Sequence, residues 1–130
     1  MTYSDLVEIM LHIEKACTSQ GNYAVTRCYD DFCDECSSLD VADISIKEIC
    51  SQLRRQIYAL EDGEFLKSIA PRNLLTPEDF ENHKSTHDTY KDYEDYENNN
   101  PLSISFTLLV EDAHAFLSTL EKEIKTKYRD

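Results

Sequence analysis

Apolar side chains return every three or four positions along almost the whole chain, and only two glycines and three prolines interrupt its 130 residues. That spacing is helical, because positions i, i+3, i+4 and i+7 share one face, and so few breakers leave little room for the tight turns that join strands. The expected fold is therefore all-α, a single-domain antiparallel helical bundle of about five helices spanning residues 1–130.

Start and stop signals divide the pattern. Thr2 and Asp5 make a capping box, after which Leu6, Ile9, Met10, Ile13 and Cys17 form a helical face that runs to Gly21. Asn22 caps a second helix with Val25, Cys28, Phe32 and Cys36 on its inner face, fading around Ser37 to Leu39. Ser45, with Glu48 as its capping-box partner, opens a third helix that runs through Leu60 and stops at Gly63, read as the left-handed residue after a helix end. Phe65, Leu66 and Ile69 fit one short helical turn before Pro71, and Leu74 and Leu75 anchor the connection. Thr76, Pro77, Glu78 and Asp79 combine an N-cap, a proline at the first helical position and early negative charge, so a helix of roughly twenty residues is expected to follow. Asn98 to Pro101 breaks it, and a last helix carries Phe106, Leu109, Ala113, Phe116, Leu120 and Ile124 inward, with Lys122, Lys125, Lys127 and Arg129 at its negative end. Residues 102–108 also alternate like a strand, but a lone strand leaves its backbone groups unpaired, so helix is preferred there.

The formal net charge is −13, from 26 acidic against 13 basic residues, and the excess is concentrated. Asp30, Asp31, Asp34, Glu35, Asp40 and Asp43 follow one another with no basic residue after Arg27 until Lys47. Glu78 to Glu97 sets eight acids against Lys84 and Lys91. Such focused charge attracts a basic macromolecule and repels nucleic acid, whose phosphates need clustered cations. No apolar run is long enough to span a bilayer, and the amino terminus lacks the basic-then-apolar pattern of a signal peptide, so a cytoplasmic location without membrane attachment is expected.

Three chemistries have partial signatures. Cys28, Cys33 and Cys36 match the first three ligands of a plant-type iron–sulfur site, but bulky or acidic residues fill the intervals, and burial on the Val25–Phe32 face accounts for the cysteines better. The five cysteines are also an odd number, which argues against a disulfide framework. Asp79, His83 and His87 would share a helical face with zinc-like spacing, yet Lys84 stands where a zinc protease needs its glutamate. His12 and His114 are expected at the core edge. With no glycine-rich phosphate loop and no compelling nucleophile–base set, neither an enzyme nor a cofactor or metal is expected.

Tyr90, Tyr93 and Tyr96 recur every third residue among Asp92, Glu94, Asp95 and Glu97. Tyrosine supplies large contact area with few rotors, and carboxylates select cationic partners, so this stripe fits a protein-binding face; the alternative is that the rings cover the bundle edge and the acids are solvated. In character this small, acidic, helical chain resembles the bacterial immunity proteins that block nuclease toxins, and phage proteins that imitate DNA charge. The resemblance implies an inhibitor that masks a basic surface on a partner protein. The partner-binding residues would be Asp30, Asp31, Asp34, Glu35, Asp88, Tyr90, Asp92, Tyr93, Asp95, Tyr96 and Glu97. A competing reading is a helical adaptor or homodimer whose working surface is an apolar groove or a homodimer face, since Val7 and Leu11 widen the apolar face of the first helix beyond one stripe.

Overall fold

The computed structural model describes residues 2–39, 44–83 and 89–128, and among these every regular element is a helix. They are α1 (Tyr3–Gln20), α2 (Tyr23–Ser37), α3 (Ile46–Ala59), α4 (Gly63–Ile69), α5 (Pro77–Asn82), α6 (Tyr93–Asn99) and α7 (Pro101–Lys127). The expected all-α class holds, with seven described helices in place of about five.

Local capping chemistry explains most boundaries. The Thr2 hydroxyl accepts from the Asp5 amide while the Asp5 carboxylate accepts from the Thr2 amide, and Gly21 ends α1 at φ 64°, where a Cβ would be strained. Asn22 performs two tasks. Its side-chain oxygen accepts from the Ala24 and Val25 amides, and its Nδ2 donates to the Leu109 carbonyl, tying the start of α2 to α7 at 2.9 Å. Ser45 caps α3 through the Glu48 amide, and Asn100 caps α7 through the Leu102 and Ser103 amides. Residues 102–108 are helical within α7, where each amide finds a carbonyl inside its own element.

Gly63 departs from its expected role. The Asp62 carboxylate accepts from the Glu64 and Phe65 amides, making Gly63 the first residue of α4, and its φ is not positive. A strong N-cap thus outcompetes the C-terminal glycine signal, and α3 ends earlier, at Ala59.

The roughly twenty-residue helix expected after Thr76 is also corrected. It stops at Asn82, and a separate α6 starts behind the Asp92 cap. In one straight helix Phe80 and Tyr96 would lie about 24 Å apart along the axis, yet their ring centroids are 5.5 Å apart. The chain folds back so that both rings can be buried.

One apolar core draws Leu6, Ile9 and Ile13 from α1, Val25, Cys28 and Phe32 from α2, Ile49 and Leu53 from α3, and Leu117 and Ile124 from α7. Phe65 and Ile69 of α4 pack against its margin. The main packing partners of α2 are α1, α3, α4 and α7, whereas α6 packs on α5 and α7.

Candidate functional site

The first acidic segment lies on α2, and its orientation follows from the core. With Val25, Cys28, Phe32 and Cys36 all fully buried, a turn of about 100° per residue sends Asp30 and Asp34 to the opposite, exposed face. Asp31 and Glu35 fall on one flank and are partly covered, while Tyr29 and Cys33 fall on the other, beside α1. Asp31 has a nearby cation, Arg27, at 3.6 Å one helical turn away. Among the described residues Asp30, Asp34 and Glu35 form no ion pair, and Glu35 Oε2 is enclosed without a hydrogen-bond partner. Asp40, Asp43 and Asp88 lie outside the described residues.

The tyrosines of the second segment are built into the fold. Tyr96 is buried against Phe80, Tyr90 and Tyr93, with ring centroids 5.3 to 5.8 Å from it in edge-on or tilted arrangements. The Tyr96 hydroxyl accepts from the Leu75 amide at 3.0 Å, and the Tyr93 hydroxyl donates to the Leu75 carbonyl at 3.2 Å. Together they serve the backbone of a segment that has no helix to do so. Burial, followed by the nearby Glu97 charge, pushes the Tyr93 phenol above its ordinary pKa. Tyr90 accepts from Asn100, which in turn caps α7.

The acids around these rings divide by task. Asp92 accepts from the Asp95 amide as the N-cap of α6, and Asp95 accepts from the Lys91 amide and from the Asn99 side chain. These two carboxylates fasten the helix start. Glu94 and Glu97 are exposed, and none of the four forms an ion pair among the described residues.

The chain's cations are partly used elsewhere. Glu121, buried on α7, accepts from Arg54 Nη2 at 2.7 Å and Nε at 3.1 Å, and pairs with Lys125 at 3.0 Å. Burial alone would raise its carboxyl pKa, but the hydrogen bonds from Lys125 and Arg54 outweigh that cost and hold it below the usual value. His12 lies 3.3 Å from Glu123 and His114 lies 3.6 Å from Glu61, both partly covered at helix contacts as expected of core-edge residues.

The cysteines behave as small hydrophobes. Cys17, Cys28 and Cys36 are buried, the Cys28 thiol donates to the Gln56 carbonyl, and burial pushes all three thiols up to about 12. His83 lies just past the end of α5, so the expected Asp79–His83–His87 helical face does not continue through it, and His87 lies outside the described residues. Among the described residues no three His, Cys, Asp or Glu side chains are grouped to hold a metal ion, and no helix is long and apolar enough to cross a membrane.

The apolar width of α1 at Val7 and Leu11, from which the adaptor reading expects a groove, lines a trough between α1 and α2; its second wall, on α2, was not foreseen. The trough has a volume of about 350 Å³ and is lined by Val7, Met10, Leu11 and Glu14 on one side and by Tyr29 and Cys36 on the other. The signal for it was present in the excess width of the apolar face of α1, where Leu11 stays 57% exposed. Comparison of the chain with protein families, curated proteins and solved structures finds no match.

Proposed function

We propose that this chain is a non-enzymatic, cytoplasmic binding protein, folded as a single-domain antiparallel bundle, that masks a basic surface on a partner protein in the manner of an immunity protein acting on a nuclease toxin. One observation carries the reading: Asp30, Asp34, Glu35 and Glu97 have no cation of the chain's own paired with them among the described residues, while Arg54 and Lys125 are held by buried Glu121. Uncompensated carboxylates on rigid helices keep their field available for a partner's lysines and arginines, at no cost of breaking internal pairs. Asp30, Asp31, Asp34 and Glu35 are the stronger half of the surface. In the other half, Asp92 and Asp95 work first as caps, and Tyr90, Tyr93 and Tyr96 support the acidic segment from below, so its contribution is charge more than aromatic area. The adaptor or homodimer reading is favoured by the exposed Tyr3 and Leu11 beside the α1–α2 trough.

The test is to capture the partner from the cells that make the protein and measure association kinetics with the purified pair. The partner should be basic and lose its activity when bound. The association rate should fall steeply as ionic strength rises from about 0.01 to 0.15 M. Replacing Asp30, Asp34 and Glu35 by Asn, Asn and Gln should slow association by about tenfold or more, with a smaller effect on dissociation. An association rate indifferent to salt and to these substitutions removes the proposal.

A further inference from the structure

In the α1–α2 trough an apolar floor and an acidic end coincide. Val7, Met10, Leu11 and Tyr29 form the floor, and Glu14 closes one end. On α2 the exposed Asp30 directly follows Tyr29. Glu14 of α1 and Asp30 of α2 thus stand on the two helices that form the trough, and neither has an ion-pair partner among the described residues. Tyr3 at the other end is 61% exposed. From Tyr3 to Glu14 the trough runs about 16 Å along α1, the length of three helical turns.

We infer that this trough seats a basic amphipathic helix supplied by the partner protein, with its apolar side on Val7, Met10, Leu11 and Tyr29 and its lysines or arginines against Glu14 and Asp30. The inference rests on the reading of an acidic chain that takes a basic partner, and it says where and in what form. The occupant is helical because the walls are helices whose side-chain ridges accept another helix, and because no described element is a strand with an edge to extend. Charge selects the class of occupant. A second copy brings a net charge of −13 to an already acidic rim, whereas a cationic helix neutralises it and covers the exposed leucine.

A synthetic leucine–lysine amphipathic helix of about 14 residues matches the trough in length. It is titrated into the full-length, isotope-labelled chain and followed by amide chemical shifts, with a scrambled peptide of the same composition as control. The expected result is saturable shifts centred on Val7, Leu11 and Tyr29 and much weaker binding of the scrambled peptide. Leu11→Ser should bind about tenfold or more weakly, and Glu14→Gln should bind weakly in a salt-dependent way. Both side chains are exposed, so the thermal midpoint should not move, and loss of binding then reports the site. Shifts centred on α6 or α7, equal binding of the scrambled peptide, or an unaffected Leu11→Ser variant overturn the trough assignment while the basic-partner reading stands. Failure of both peptides to bind at low salt overturns the two together. A sedimenting dimer whose contact maps to Val7 and Leu11 overturns the assignment in favour of self-association.

Discussion

Glu121 shows how a single carboxylate can cost and contribute stability at once. Its side chain is only 8% exposed, and that penalty is offset because Arg54 and Lys125, each 51% exposed, reach it from two helical positions. Its folded-state pKa lies below the usual value near 4.5, so it adds stability that is complete above that value and is lost as pH falls through the lower folded value. Glu121→Gln should therefore destabilise the protein by about 1–2 kcal/mol at neutral pH, less than for a fully buried pair because both cations are half in water. Urea unfolding of the two proteins in parallel checks this, and the difference should shrink as the pH is taken from 7 to about 3. A difference that persists at low pH would show that the pairing is not its source. Asn22 carries the same lesson in neutral form: the cap was readable from its place before a periodic apolar run, but its bond to the Leu109 carbonyl, 87 positions away, was not.

At the scale of elements, α5 and α6 are too short to hold their own helical structure and depend on the Phe80, Tyr90, Tyr93 and Tyr96 rings. This cluster stands apart from the main core shared by α1, α2, α3 and α7. Phe80→Ala, which removes a fully buried ring, should cost about 3 kcal/mol or more within that unit. Amide exchange should accelerate in 77–82 and 93–99 while α1 to α3 stay protected, as expected for a unit that opens locally. Uniform loss of protection throughout the chain would instead make the aromatic cluster part of one cooperative core. The helix starts at Thr2, Asn22, Ser45, Thr76 and Asn100 were legible because a cap acts within three residues. The break between α5 and α6 was not, because the acidic stretch reads locally as a continuous helix and only ring burial across the fold opposes it.

For the whole molecule, a net charge of −13 means that folding gathers like charges into a smaller volume. Self-repulsion of this kind is screened by salt, since the Debye length falls from about 30 Å at 0.01 M to about 3 Å at 1 M. The thermal midpoint should rise by a few degrees between about 0.01 and 0.5 M sodium chloride, as read by circular dichroism. A midpoint that falls over this range would mean that attractive internal pairs outweigh the repulsion. The same open field that lowers stability is what a cationic partner would relieve, which links the salt dependence of folding to that of binding.

The amino-acid sequence by itself determined the helical class, most helix starts, the buried face of α2 and the excess of negative charge, because caps, periodicity and formal charge act over one or two helical turns. Tertiary structure alone decided that Tyr96 turns inward, that Arg54 and Lys125 are committed to Glu121, and that Tyr29 and Cys36 of α2 close an apolar trough against Val7, Leu11 and Glu14 of α1. Each of these depends on which distant side chains compete for the same space and the same hydrogen bonds, a competition that exists only once the helices have packed.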